Sequence, residues 1–74
     1  MPKLPILKPK DVIKRFQKLG FIKDRQTGSH VILYHAKTKQ RATIPLHIKD
    51  LPKGTLKAIL NQTGISVEEF TKVK

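Results

Sequence analysis

A histidine that directly follows a glycine-containing turn is the residue best placed for chemistry in this sequence. Gly28 can adopt backbone angles that are closed to other residues, and the Ser29 hydroxyl can hydrogen-bond nearby backbone, so the pair favours a tight turn. His30 then begins a run over residues 30–35 that is rich in β-branched and aromatic side chains and predicts a strand. Because histidine both takes and gives protons near neutral pH, a positioned His30 suggests acid–base catalysis. The alternative is that His30 only begins a strand.

The charge of the chain indicates an anionic partner. Sixteen Lys and Arg residues face five Asp and Glu residues, which gives a formal net charge of +11 over 74 residues. Such an excess produces a strongly positive surface potential, which attracts nucleic acid, acidic proteins or anionic lipid. Lipid is the least favoured of these, because no stretch has the broad apolar helix face that anchors a protein in a membrane. The alternative is that the charge serves only solubility.

The length and composition predict one small domain over residues 1–74, with an extended arm over residues 1–8. A chain of this length buries about 60% of its unfolded surface, so a deep substrate cavity is not expected. The lack of cysteine excludes disulfides and thiolate metal sites. The first residues lack the apolar core of a signal peptide, and no segment is long enough to cross a membrane, so a cytoplasmic location is expected.

One helix and three strands are predicted in the first part of the chain. Pro9 suits the first turn of a helix, and Pro45 is expected to stop the third strand because proline cannot donate to a ladder. The short links between strands favour an antiparallel meander. The predicted helix spans residues 9–19, and the predicted strands span residues 21–26, 30–35 and 41–44.

Two further helices are predicted after the strands. The first has apolar residues at helical spacing, with Asp50 as its cap and Gly64 at its end. The second opens with a capping box formed by Ser66 and Glu69, and it contains Phe70. The sequence therefore predicts an α+β fold of order α-β-β-β-α, in which helices pack on one face of a three-stranded antiparallel sheet.

Alternation along the second strand decides where His30 lies. Val31 and Leu33 fall on one face of the sheet, and His30, Ile32 and Tyr34 fall on the other. If the helices cover Val31 and Leu33, His30 lies on the open face or its rim. The pattern does not force this choice, because Ile32 is as apolar as its neighbours.

Metal-dependent and serine-hydrolase chemistry are both disfavoured by the residue pattern. A zinc site needs three or four converging ligands, and a two-metal nuclease needs several convergent carboxylates, but the acidic residues are scattered. Ser29 would point to the opposite face of a strand from His30. Metal-free RNA cleavage remains, because RNA carries its own 2′-OH nucleophile and needs only a proton acceptor, a proton donor and cations. No cofactor is expected.

Basic and histidine side chains elsewhere in the chain are candidates to support this chemistry. Pro45 restricts the backbone just before His47, so the His47 side chain is expected to point in a defined direction. A bond from His47 to backbone at the entry of the next helix is the favoured interpretation. The alternative is a supporting role at the site, for which Ser29 and His47 are the candidates. His35 lies at a hairpin end and is expected to be solvated. Each basic side chain is, taken alone, more readily a solvated surface charge than a site residue. The candidate RNA-binding residues are Arg25, Lys39, Arg41 and Lys53.

Five short motifs follow one another along the chain: Gly20-Phe21, Gly28-Ser29-His30, Ile44-Pro45-Leu46-His47, Lys53-Gly54-Thr55-Leu56-Lys57-Ala58-Ile59-Leu60 and Gly64-Ile65. This ordered set resembles the HicA toxins, which are small mRNA interferases of HicA–HicB toxin–antitoxin pairs. The resemblance implies a double-stranded-RNA-binding-domain-like fold, a catalytic role for His30 in the Gly-Ser-His motif, and a HicB antitoxin that covers the site. The proline-rich start through Pro9 departs from the Ser-Gly helix opening of the family, and no second catalytic group is evident.

Three functions of different classes fit these observations. The favoured one is an mRNA endoribonuclease that blocks translation. The second is a non-catalytic RNA-binding module on the same fold, since double-stranded-RNA binders read shape and backbone through basic residues. The third is a basic protein that only pairs with an acidic partner, which predicts no affinity for RNA.

Overall fold

Three antiparallel strands in the order β1-β2-β3 form the centre of the computed structural model, which describes residues 4–73. The predicted order of elements and the α+β class are confirmed, and the three strands form the expected meander. The first three residues of the predicted arm and the last residue of the predicted domain lie outside the described residues. The elements are α1 (Pro9–Lys18), β1 (Phe21–Thr27), β2 (His30–His35), β3 (Arg41–Pro45), α2 (Lys53–Thr63) and α3 (Val67–Lys72).

Helix α1 begins at Pro9 as predicted and ends one residue earlier than expected, with Leu19 as its C-cap. Its N-cap residue is Lys8, and among residues 4–73 no side chain caps this helix end. The chain reverses at Gly20, whose φ of +102° is a conformation that L side chains rarely adopt. This reversal leads directly into β1.

The first two strands form a hairpin that is closed by the two residues Gly28 and Ser29. Thr27 pairs with His30, so β1 is one residue longer than predicted, and Gly28 has a φ of +58° that suits the turn. Strand β3 also extends one residue further than predicted, because Pro45 pairs with His30. A proline is tolerated there because β3 is an edge strand.

The prediction that Asp50 caps α2 was wrong. The N-cap is Pro52, and within the described chain it is not joined by a capping side chain. Leu51 explains the difference: it is fully buried, and its N–H donates to the Leu7 carbonyl at 2.8 Å in an isolated antiparallel bridge. This bridge keeps the chain extended next to Asp50 and fixes the end of the N-terminal arm against the body of the protein.

The core lies between the helices and one face of the sheet. Val31 and Leu33 are buried on that face, which settles the choice that strand alternation had left open. The capping box at Ser66 and the αL residue Gly64 are also confirmed, and the last helix inserts Phe70 against the ring of Phe16, with ring centroids 5.7 Å apart. The buried apolar residues are Val12, Phe16, Phe21, Val31, Leu33, Ala42, Ile44, Leu51, Leu56, Ile59, Leu60 and Phe70.

Candidate active site at the rim of the open sheet face

His30 lies at the end of the sheet, where all three strands meet. It is the first residue of β2 and is exposed, and it pairs with Thr27 on one side and Pro45 on the other. Because the side chains of a strand alternate and its neighbour Val31 faces the core, the imidazole of His30 projects from the open face. The turn at Gly28 and Ser29 therefore places one exposed histidine at a rigid rim.

A second exposed histidine lies beside His30. His47 follows β3 by two residues, and its ring centroid is 5.9 Å from that of His30, with an angle of 63° between the ring planes. Two backbone features bring the rings together: Pro45 pairs with His30, and the Leu46 N–H donates to the Ser29 carbonyl at 2.6 Å. The loop after β3 is thus tied to the turn before β2.

The side chain of Ser29 reaches His47 rather than His30. Its Oγ lies 3.4 Å from His47 Nδ1. The expectation that His47 bonds backbone at the entry to α2 is therefore replaced by a contact with the turn. The length of the β2–β3 hairpin could have predicted this contact. With a loop over residues 36–40, the pairing of β2 with β3 runs back to His30 and Pro45. The residues after Pro45 then lie beside the turn that contains Ser29.

Two of the candidate cations share the open face at different distances from His30. Arg25 pairs with Ile32, two residues along β2, which is roughly 7 Å from His30 at 3.3 Å per residue. Arg41 pairs with Tyr34, four residues along, which is roughly 13 Å away. Arg25 is therefore the nearer of the two to the histidine pair.

A carboxylate holds both of these arginines. Asp24 accepts a hydrogen bond from Arg41 NH1 at 2.7 Å, and its Oδ2 lies 3.5 Å from Arg25 Nε. The guanidinium of Arg41 also lies over the ring of Tyr34, 4.8 Å from its centroid. These contacts restrict the arginine side chains but leave them exposed, so the open face keeps positive charge in defined positions.

The other two candidate cations lie outside the three strands. Lys39 lies in the β2–β3 loop, beyond the opposite end of β2 from His30, and its N–H donates to the His35 carbonyl at 2.8 Å. Lys53 is the exposed first residue of α2.

Three lysines that sequence reasoning did not select line a groove next to His47. Leu46 and Ile48, on either side of His47 in sequence, form part of this groove together with the lysines at the start of α1. Folding brings residues 8–10 and 46–49 together, and no local pattern in the sequence predicts this contact. The lysines of the groove are Lys8, Lys10 and Lys49.

His35 lies at the other end of β2 and is not the solvated residue that was expected. It is half-buried, and its ring contacts that of Phe21 edge-on, with centroids 5.1 Å apart. Its Nδ1 accepts hydrogen bonds from the backbone N–H groups of Lys37 and Thr38, both at 3.2 Å. His35 therefore organises the hairpin loop.

Among residues 4–73, no three His, Asp and Glu side chains lie close enough together to hold a metal ion. No helix in this part of the chain is both long enough and apolar enough to span a bilayer.

Comparison with known proteins identifies a family. A search of curated proteins finds no match. A scan against protein families matches residues 9–65 to the family described as the HicA toxin of bacterial toxin–antitoxin systems. The match spans α1, all three strands and α2, and so includes the whole rim around His30 and His47. The chain belongs to the HicA toxin family of toxin–antitoxin systems.

Proposed function

We propose that this protein is the toxin of a toxin–antitoxin pair and acts as a metal-independent mRNA endoribonuclease, with His30 as a catalytic residue. Cleavage of mRNA would block translation, which accounts for toxicity. Membership of the HicA toxin family supports the toxin role. The observation that carries the proposed chemistry is an exposed imidazole at the rim of an open sheet face, beside a second exposed imidazole, on a chain of net charge +11.

RNA cleavage suits a site with no deep pocket. The substrate supplies its own nucleophile, the 2′-OH, and the enzyme must take that proton, protonate the leaving oxygen and stabilise the charge on phosphorus. The imidazole of His30 is accessible to an RNA strand that lies across the open face of the sheet, so it can take the proton of the 2′-OH. Arg25 is the nearest of the candidate cations on this face and is proposed to stabilise the phosphorane.

The wider positive surface is proposed to bind the RNA backbone. Arg41 contacts Asp24 and Tyr34 further along the open face, and the groove lysines share their groove with Leu46 and Ile48, the sequence neighbours of His47. Lys39 lies at the far end of β2 from the histidine pair, and Lys53 lies at the start of α2; both are proposed to bind the backbone only. Such contacts fix the strand in place without reading its sequence.

A HicB-type antitoxin is proposed to mask this surface. Its carboxylates would face the cations already named, which speeds encounter and selects the partner. Apolar contact with the open face would supply much of the remaining affinity, because Ile22 there is 59% exposed and adjoins Tyr34 in the register. RNA and antitoxin should then compete for one surface.

A labelled single-stranded RNA incubated with the purified protein tests the proposed function. We expect cleavage that persists in excess EDTA, since the proposed mechanism assigns no step to a metal. Retention of RNA without cleavage would instead support the non-catalytic RNA-binding module. Neither cleavage nor retention would support a protein that only pairs with an acidic partner. Cleavage that is lost with EDTA and returns with Mg²⁺ or Zn²⁺ would overturn the metal-free chemistry.

The masking proposal needs a protein that binds RNA without cleaving it. The His30→Ala variant can be used for this purpose. Its binding to RNA is measured while antitoxin is added, at low and at high salt. Displacement of RNA is expected, with the affinity for antitoxin weaker at high salt. A ternary complex of RNA, antitoxin and this variant would contradict masking.

A further inference from the structure

We infer that His47 is the second catalytic residue, the group that protonates the leaving 5′-oxygen of the cleaved phosphodiester, and that Ser29 is its positioning residue. This inference rests on the proposed RNA cleavage and assigns the proton donor which that chemistry requires. It draws on three features of the described chain: the closeness of the two histidines, the backbone that fixes them, and the contact between Ser29 and His47.

The two imidazoles are close enough for one phosphodiester to contact both. Their centroids are 5.9 Å apart, both side chains are exposed, and the rings meet edge to face. A general acid and a general base must each come within about 2.6–3.2 Å of the atom with which they exchange a proton. A single phosphate lying over the exposed edges of both rings at the rim meets this condition, and His35, at the opposite end of β2, does not adjoin it.

The backbone holds this pair in place from two directions. His30 is fixed by ladder pairing to Thr27 and Pro45, and the loop that carries His47 is tied back by the bond from the Leu46 N–H to the Ser29 carbonyl at 2.6 Å. The fixed φ of Pro45 further limits the path of the chain into His47. The backbone positions of the two histidines are therefore set by the sheet and by the tie between Leu46 and Ser29.

The Ser29 contact determines which nitrogen of His47 is available for exchange. Ser29 Oγ lies 3.4 Å from Nδ1, so in the imidazolium form of His47 the Nδ1–H donates to this hydroxyl oxygen. The Nε2–H is then left to donate to substrate. When Nε2 gives up its proton, the neutral ring keeps Nδ1–H and the same bond to Ser29. The contact thus persists through the transfer and orients the ring as a proton donor.

The cleavage step then balances. The 2′-oxygen forms a bond to phosphorus while its proton moves to His30, and the bond between phosphorus and the 5′-oxygen breaks while that oxygen takes the proton from His47 Nε2. The products are a 2′,3′-cyclic phosphate and a 5′-hydroxyl. The enzyme is left with a protonated His30 and a neutral His47, and proton exchange with solvent restores both.

A substrate with sulfur in place of the bridging 5′-oxygen tests the role of His47. A thiolate leaves without being protonated, so a missing general acid matters little for this substrate. For His47→Gln we expect kcat on ordinary RNA to fall by about 10²-fold with KM changed less, and activity close to wild type on the sulfur-bridged RNA. The matched variant His30→Gln should be impaired on both substrates, because the 2′-OH still needs a base.

The positioning role of Ser29 has its own prediction. Ser29→Ala should lower kcat on ordinary RNA by a smaller factor, about 10-fold, and this loss should also shrink on the sulfur-bridged substrate. Ser29→Thr keeps the hydroxyl and should retain most of the activity. Circular dichroism of each variant should match that of wild type, since Ser29 and His47 lie at the surface.

The outcomes separate this inference from the proposed function. Wild-type cleavage together with an unimpaired His47→Gln variant would overturn the role of His47 alone. A variant equally impaired on both substrates would also overturn the acid assignment, since the defect would then lie in binding or structure. A wild-type protein that cleaves neither substrate would overturn the proposed function itself.

Discussion

Strand β2 begins with one histidine and ends with another, and the two ends differ in what surrounds the imidazole ring. His30 is exposed, and its nearest aromatic neighbour is a second exposed histidine, His47, at 5.9 Å between centroids. His35 is half-buried against the ring of Phe21, and its Nδ1 accepts two backbone hydrogen bonds. The same residue type on the same strand therefore meets two different environments.

Whether a histidine can exchange protons with a substrate depends on which of its ring nitrogens are already engaged by the protein. At His35 the acceptor nitrogen is already used by the loop, and Nε2 lies 2.7 Å from the position that a Cβ on Gly20 would occupy. The ring of His30, by contrast, is exposed at the rim of the open face.

Replacing each histidine of β2 in turn should separate catalysis from structure. His30→Ala is expected to lower RNA cleavage by about 10²-fold or more while thermal unfolding stays as in wild type, because the side chain is exposed and contributes little packing. Cleavage by gel assay and unfolding by circular dichroism measure the two effects. A folded His30→Ala protein with full activity would remove His30 from the mechanism.

Alanine at two glycines should show how much of the His35 end depends on close packing. Gly20→Ala is expected to destabilise the protein by about 2 kcal/mol or more, because φ is +102° and the new Cβ would meet His35 Nε2 at 2.7 Å. Gly28→Ala is the matched control: its φ of +58° is also positive, but within residues 4–73 no atom beyond the adjacent residues lies within 4 Å of the new Cβ, so about 1 kcal/mol is expected. Chemical denaturation measures both. Equal losses would show that the contact with His35 adds nothing.

His35→Ala should weaken the fold without touching cleavage. The variant loses two acceptor bonds and the edge contact with Phe21, for which we expect about 1 kcal/mol of destabilisation, since the freed N–H groups are exposed to water. Cleavage per folded molecule should stay within about two-fold of wild type. A large loss of kcat in a folded His35→Ala protein would contradict the contrast between the two ends.

Two cations at different distances from the rim should differ modestly in their effect on cleavage. Arg25→Gln is expected to lower kcat/KM several-fold, because Arg25 pairs with Ile32 close to His30, whereas Lys39→Gln should change it by less than about two-fold. Both variants remove one positive charge, so net charge is controlled. Steady-state cleavage at low salt compares them, and an equal effect would indicate that only total charge matters.

Much of the fold could be predicted from sequence because it is encoded locally. The spacing of Val12 and Phe16 predicts α1, and the Ser66–Glu69 pair predicts the start of α3, since both signals lie within a few residues. The prediction that Asp50 caps α2 failed because a long-range contact decides the structure there. The bridge between Leu7 and Leu51 overrides the local preference, and a contact between residues 44 apart cannot be predicted from a few neighbouring residues.

The candidate site was only partly within reach of sequence reasoning for the same reason. The turn before His30 is a local feature and could be found. The pairing of His47 with Ser29, and the burial of His35 beneath Gly20, depend on strand register and on the chain reversal after α1. The groove lysines meet only through tertiary packing. The catalytic assignments themselves remain predictions.

Strand β1 stands at the edge of the sheet, and within residues 4–73 no further strand pairs with its outer side. Its register shifts between Lys23 and Arg25, so the irregularity coincides with three consecutive charged residues. Irregular pairing and charge both hinder the addition of a strand from another molecule. Ile22 is exposed beside this edge, so the irregular pairing and the charges disfavour the addition of a second copy at the position where apolar surface would otherwise promote it.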